Sequence, residues 1–286
     1  MASFSLDLAE VSARLRALRP DLVFNLVESV DGSGRFAYLA PSWLDFLGIP
    51  YSGCSTEAIF ATGNKLFAKR MLKGQGIPTP PWIENEETGV GTDQVGTWII
   101  KFVWEHASIG LSQDSVVSRT ELRQALSSVK TVADCFAEAY IPGREFNISV
   151  LGGPNGPEVL PPAELVFVDF PEGRPKIVDY RAKWDEQSFE YHHTVRSFEF
   201  PAEDEHLLDQ LRRLSLDCWR VFRLRGYARV DFRVDGQGQP WVLEINSNPC
   251  ISRNAGFLAA ADRAGLRPRD VVARIIEDSF SQSLCD

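Results

Sequence analysis

Between Gly226 and Asn254 the chain reads GYARVDFRVDGQGQPWVLEINSNPCISRN, and four of its side chains are of types that do chemistry together: Arg229, Asp231, Glu244 and Asn246. Two runs of alternating character, 227–234 and 241–245, flank a Gly-containing stretch at 235–239, the pattern of a hairpin. Side chains alternate between the two faces of a strand. Ala228, Val230, Phe232 and Val234 therefore share one face, and Arg229, Asp231 and Arg233 the other. In the second strand Val242, Glu244 and Asn246 are expected on a face opposite to Leu243 and Ile245. If the turn pairs Val234 with Trp241, the antiparallel register sets Asp231 across from Glu244. Opposed carboxylates repel, and a cation between them removes the conflict. Carboxylate and amide oxygens are hard ligands, suited to Mg²⁺ held by one or two carboxylates together with nucleotide phosphates. Arg229, on the face of Asp231, is placed to hold an anion beside the metal.

Other charged residues interrupt apolar runs. Lys101 does so in 97–104; a buried lysine without a partner is costly, so an anion is expected beside it. Lys65 opens a helix expected over 64–73, and Lys183 ends the string DYRAK at 179–183. Glu138 sits in the apolar strand 134–141, and Glu145 begins the strand that follows Gly143. Taken singly, Lys65 reads as a solvated surface group, and Glu138 or Glu145 as half of a structural salt bridge.

The elements that must position these residues follow from periodicity and punctuation. Leu8, Val11, Leu15 and Leu18 predict an amphipathic helix over 5–19, ended by Pro20. The apolar run 22–27 reads as a buried strand of a parallel sheet, with the loop 28–34 at its carboxyl end, where open α/β sheets place ligands. Phe36, Leu39, Trp43, Leu44 and Leu47 mark a second helix, and 84–96 is a polar loop. Ser118 and Glu121 form a capping box that opens a helix over 119–130. The strand 146–151 leads through a turn at 152–157 to a further strand over 158–167. A long helix spans 203–225, stopped by Gly226, and Val271, Val272, Ile275 and Ile276 mark the last one. His192 and His193 read as solvated loop residues rather than metal ligands.

RVDFRVDGQGQPWVLEINSNP resembles the metal-binding hairpin of ATP-grasp enzymes, and within them that of the D-alanine–D-alanine ligases. The segments NKLFAK from Asn64, IIK ending at Lys101, EHASIG from Glu105, AEAYIPGRE ending at Glu145 and DYRAKW from Asp179 are similar to motifs that this family carries in the same order. The resemblance covers nearly the whole chain from residue 20. It implies an α/β (α+β) chain with an ATP-grasp fold: a small parallel-sheet N-terminal domain (1–54), then two α+β subdomains (55–140 and 141–286) that clasp ATP.

It implies Mg²⁺, or Mn²⁺ in its stead, on Asp231, Glu244 and Asn246. Lys65, Lys101 and Lys183 would face the phosphates, and Ser108 lies in the loop that closes over them. Glu138, Ala139 and Ile141 would hold adenine, and Glu145 the ribose. Arg229 and the Cys250 backbone N–H would stabilise a tetrahedral intermediate, while Arg253 and Trp184 are candidates for substrate contact.

The resemblance is strong for the nucleotide half, where Asn64 and Phe102 nonetheless replace a family aspartate and proline, and poor for the substrate half. His106 and Ala107 stand where the family has glycine and serine, Trp184 replaces a tyrosine, and Ala255 stands where a serine helps hold the second substrate's carboxylate. The family's leading strand, Gly-rich loop and helix have little counterpart ahead of residue 20, so the expectation is that the first substrate is held differently, or that a second copy or a partner subunit completes the pocket. The resemblance therefore implies a carboxylate–amine ligase for amino acids or peptides. D-alanine–D-alanine ligase proper, a small-molecule kinase and a non-catalytic nucleotide-binding subunit are the alternatives.

Composition bounds the rest. The 286 residues carry a net charge of −9, which argues against a nucleic-acid backbone as partner. Five scattered cysteines form no C-x-x-C, so neither a disulfide framework nor a zinc site is expected. No run has the length and apolarity of a membrane span or a secretory leader, and the expected compartment is the cytoplasm.

Overall fold

The computed structural model describes residues 10–84, 89–90, 95–105, 108–130 and 134–282. Leu8, His106, Ala107 and Cys285 lie outside them. The first part of the chain is helical: α1 (Val11–Leu18), α2 (Leu39–Leu47), α3 (Thr56–Gly63) and α4 (Lys65–Gly74). Next come β1 (Trp82–Ile83), β2 (Gly89–Val90), β3 (Thr97–Phe102), β4 (Val116–Ser118), α5 (Leu122–Lys130) and β5 (Cys135–Ala139). These five strands form one antiparallel sheet in the order β2-β1-β5-β3-β4.

A second antiparallel sheet follows, built from β6 (Arg144–Leu151), β7 (Glu158–Val159), β8 (Ala163–Phe167), β9 (Thr194–Ser197), β10 (Tyr227–Val234) and β11 (Pro240–Asn246). Its order is β11-β10-β6-β8-β9, with β7 beside β6. The short helices α6 (Tyr180–Trp184) and α7 (Phe189–His193) lie between β8 and β9. The helix α8 (Glu205–Val221) precedes β10, and α9 (Gly256–Arg263) and α10 (Pro268–Gln282) complete the described chain.

The six-stranded sheet divides its residues by face. Phe146, Ile148 and Val150 of β6 and Ala228, Val230, Phe232 and Val234 of β10 pack with Leu208, Leu211, Cys218 and Trp219 of α8 into the main core. Ala58, Ile59, Ala68 and Leu72 of α3 and α4 join it. Fully burying each large aliphatic side chain contributes about 1.5–3 kcal/mol. The other face carries buried polar residues instead: Glu145, Asn147 and Ser149 of β6, and Asp231 and Arg233 of β10. A sheet with one greasy and one polar buried face is a floor for a site.

Several elements differ from what periodicity predicts. The run 22–27 forms no strand among the described residues; its parallel pairing is a single bridge, Val23 to Tyr51. Leu18 is exposed, so only Val11 and Leu15 anchor α1. Part of the polar loop 84–96 pairs as β2 on β1. Glu121 accepts from the Ser118 N–H at 3.0 Å, and the helix begins after it, at Leu122. His192 and His193 close α7 rather than lying in a loop, and the His193 ring stacks on Phe189 at 3.8 Å.

The hairpin itself departs from simple alternation. Val234 pairs with Pro240 and Phe232 with Val242, and a bulge between Asp231 and Phe232 then restores Asp231 opposite Glu244. The shift turns Val242 into the core with Ile245, while Leu243 and Glu244 both face the opposite side. Val242 thus does not share a face with Glu244. A bulge does this because one extra residue on one strand reverses the alternation beyond it.

Candidate active site

The polar face of the six-stranded sheet and the inner face of the five-stranded sheet enclose a cleft of about 810 Å³, counted with its open mouth. Lys65, Lys101, Ser108, Glu138, Ala139, Ile141, Glu145, Lys183, Asp231 and Glu244 all line it. The other candidates lie elsewhere. Arg229 and Asn246 are ladder partners two pairs beyond Asp231 and Glu244. Cys250, whose Sγ lies 3.4 Å from Ser252 Oγ, and Arg253 are exposed in the turn before α9. Trp184 is 55% exposed.

Lys65 is held by its helix. Asn64 caps α4, its side chain accepting from the Phe67 N–H at 2.9 Å. That puts a lysine on the first turn, where the helix dipole disfavours a cation. The position is tolerable because Lys65 donates to the Glu105 carbonyl and lies 3.4 Å from Glu244. One turn on, Lys69 is buried on the same face and reaches Glu138 at 2.9 Å and Thr79 at 2.8 Å. Lys101 meets the other oxygen of Glu138 at 2.5 Å. Burial by itself would raise the Glu138 pKa, but Lys101 and Lys69 outweigh it and hold the carboxyl below its ordinary range. Burial holds Lys69 below the ordinary lysine range, against the pull of Glu138.

Arg233, singled out above only for its face, is buried and pairs with Glu145 at 2.8 Å across the β6–β10 ladder. It also donates to the carbonyls of Gly143 and Lys176. Gly143 takes a φ of 143° with the Val234 carbonyl packed against its Cα, so no side chain fits at this entry to β6.

Lys183 enters through α6. Asp179 caps that helix, accepting from the Ala182 N–H at 2.9 Å. Desolvation, then the charge of Arg229, lowers the pKa of Lys183. The loop over the cleft is fastened to the same segment. Ser108 donates to the Val178 carbonyl at 2.6 Å, and the Tyr180 N–H donates to the Leu111 carbonyl at 3.1 Å. These contacts join the loop to the start of α6 and the residues that lead into it.

The residues fit a divalent cation of the Mg²⁺ type. Asp231 and Glu244 face each other across the ladder, each has a cation beside it, and every donor offered is oxygen. Arg229 forks onto Asp231 at 2.7 and 2.8 Å, and Asn147 donates to the same carboxylate at 2.8 Å. Burial would lower the Arg229 pKa, but Asp231 outweighs it and raises it. Asn246 accepts from the Asn248 N–H at 3.0 Å, which fixes its side chain. Among the described residues no group of three or more His, Cys, Asp or Glu side chains is placed to hold a metal ion.

A family model described as "D-ala D-ala ligase C-terminus" matches residues 71–277. The uncharacterized protein y4sG of Sinorhizobium fredii is 34% identical over 249 residues, spanning 85% of this chain and 70% of that protein. The D-alanine–D-alanine ligase of Aquifex aeolicus is 30% identical over 284 residues, spanning 96% of this chain and 88% of the ligase. Among solved structures, the D-alanine–D-alanine ligase of Bacillus anthracis superposes with a TM-score of 0.70 at 27% identity, covering 95% of this chain and 84% of that one.

Proposed function

This chain belongs to the D-alanine–D-alanine ligase family of ATP-grasp enzymes, ligases that form an amide bond, and we propose that it joins two amino acids, or an amino acid and a peptide, through an acyl phosphate. The observation that carries the reading is the meeting of Lys65, Lys101 and Lys183 with the opposed pair Asp231 and Glu244 in one cleft. Phosphoryl transfer asks a protein for positioning and charge neutralisation rather than covalent chemistry. Three lysines supply cations toward a triphosphate. Asp231, Glu244 and Asn246 are the residues that would hold Mg²⁺, which supplies further neutralisation of the transferring phosphate. Ala139 and Ile141 offer backbone groups to adenine.

One carboxylate oxygen of the first substrate attacks the γ-phosphorus and ADP leaves. The amine of the second substrate then attacks the acyl carbon, loses a proton, and phosphate departs. Arg229 is the cation for the oxyanion formed in that second step, in a site where burial strengthens its field. To serve there its guanidinium would turn from Asp231, a carboxylate that a bound Mg²⁺ would neutralise in its place.

The experiment is ADP release by the purified protein with Mg·ATP across L- and D-amino acids and dipeptides, with mass spectrometry of each mixture. Substrate-dependent ADP together with a condensed product is the expected result. ADP with a phosphorylated, uncondensed acceptor overturns it. Glu244→Gln should abolish metal-dependent turnover and keep the fold, judged by circular dichroism; undiminished rates from the folded variant would remove the hairpin from the mechanism.

A further inference from the structure

Glu190 is a buried carboxylate that the chemistry above does not use, and it follows Lys183 in the segment between β8 and β9. It lies in the first turn of α7, where a negative charge suits the helix start. A solvent-facing carboxylate would serve that purpose, yet the side chain of Glu190 is 0% exposed. One of its oxygens accepts from the guanidinium of Arg174. The other, Oε2, has no hydrogen-bond partner and lies 3.6 Å from Nε of Arg181. Taking a charge out of water is costly, and a cluster so incompletely bonded does not offset that cost. Stability alone therefore does not account for Glu190.

Its two arginines bracket a wall of the cleft. Ile177 and Val178, which line it, lie between Arg174 and Arg181, and Lys183 follows two residues later. Arg174 is held by aromatic faces, its Cζ 5.1 Å from the ring centroid of Phe189 and 5.9 Å from that of Phe170. Arg181 belongs to α6, and its carbonyl accepts from Ser188 Oγ at 3.1 Å. Its Nε is also 3.7 Å from Asp185, a contact that ties α6 only to its own end. The helix α6 is five residues long. So short a helix does not sustain itself in water, and the aim of Lys183 depends on what grips α6 from outside.

We propose that Glu190 is a positioning residue: by gripping Arg174 and Arg181 at once it sets α6 against the cleft and aims Lys183 at the transferring phosphate. The role of Lys183 rests on the ligase reading above; the grip on α6 does not. Lys183 meets charge that develops as the phosphoryl group moves. Loosening α6 therefore costs rate more than nucleotide affinity, which Lys65 and Lys101 retain.

The test compares wild type with Glu190→Gln, which keeps the size and removes the charge, and Glu190→Asp, which keeps the charge. Arg181→Gln is the second probe of the grip, at a side chain that is 54% exposed. The ADP assay supplies kcat and KM, and hydrogen exchange read by mass spectrometry supplies local order. In Glu190→Gln, kcat should fall about 10–100-fold with KM for ATP unchanged. Peptides containing the Tyr180, Ala182 and Asp185 amides should exchange faster, and those of α8 and β10 as in wild type. Glu190→Asp should recover part of both effects, and Arg181→Gln should show the same pattern more weakly. Glu190→Gln should melt close to wild type, because both arginines can turn to water once the carboxylate charge is gone. Equal exchange at α6 in wild type and Glu190→Gln overturns the proposal, whatever the ADP assay gives. Faster exchange at α6 with undiminished kcat overturns it as well. Faster exchange throughout α8 and β10 with a lowered melting temperature would make Glu190 a general stabiliser and also overturns it. Faster exchange confined to α6, where wild type releases no ADP, overturns the ligase reading and upholds the grip.

Discussion

Glu138 makes two bonds that no single strand could arrange, one to Lys69 from α4 and one to Lys101 from β3. Removing one partner from a buried ion pair leaves an uncompensated charge, which costs more than the pair itself contributes. Glu138→Gln should therefore destabilise the protein by about 3–5 kcal/mol, measured by urea unfolding; a loss under about 1 kcal/mol would mean that water reaches Lys69. The pH dependence follows from the sign of the shift. The folded pKa of Glu138 lies below its ordinary value, so its stabilisation is complete above the unfolded pKa and is lost as pH falls through the folded one. Wild-type stability should fall across this acidic range by more than that of Glu138→Gln. At this scale much could be read from the sequence. Lys101 in an apolar run announces an anion; Lys69 was not singled out, although its four-residue spacing from Lys65 puts both on one helix face. Alternation had already placed Arg233 beside Asp231.

Among the elements, the β10–β11 hairpin shows how a correct conclusion can come by an incorrect route. Asp231 does oppose Glu244, yet the turn starts one residue tighter than alternation assumes, and the bulge makes up the difference. Turn length and bulges depend on backbone geometry that an apolar–polar pattern does not encode. The consequence is testable residue by residue. Val242, fully buried in the core, should cost about 2 kcal/mol when cut to alanine and leave nucleotide affinity intact. Leu243 lines the cleft, so Leu243→Ala should weaken binding of a nucleotide analogue and change the melting temperature little. The opposite pattern would restore regular alternation. Short helices were the other gap. α3 and α9 are eight residues each, and their periodicity is too brief to stand out from the surrounding Gly, Ala and Thr.

For the whole molecule, the cleft draws on both sheets: Ile99, Lys101 and Glu138 from one, Glu145, Asp231 and Glu244 from the other. A ligand gripped from two sides stabilises the folded chain by mass action, about 2.7 kcal/mol at a hundred times its dissociation constant. Mg·ADP should therefore raise the melting temperature by several degrees, and Asp231→Asn should remove the part that depends on Mg²⁺; an equal shift in wild type and variant would place the metal elsewhere. The hairpin at 227–246, the turn at 152–157 and the order of motifs were legible from the sequence because hairpins and charged interruptions are local; the strand order of the two antiparallel sheets, set by long-range pairing, was not. The parallel N-terminal sheet expected from the run 22–27 is not formed among the described residues, where Val23 makes a single bridge to Tyr51. Among those residues no helix is long and apolar enough to cross a membrane. The central claim is that a carboxylate is activated by phosphorylation, and isotope transfer tests it most directly. With the acid substrate labelled with ¹⁸O in its carboxylate, one labelled oxygen should appear in the inorganic phosphate for each amide formed. Unlabelled phosphate accompanying amide formation would contradict the acyl phosphate and the mechanism built on this cleft.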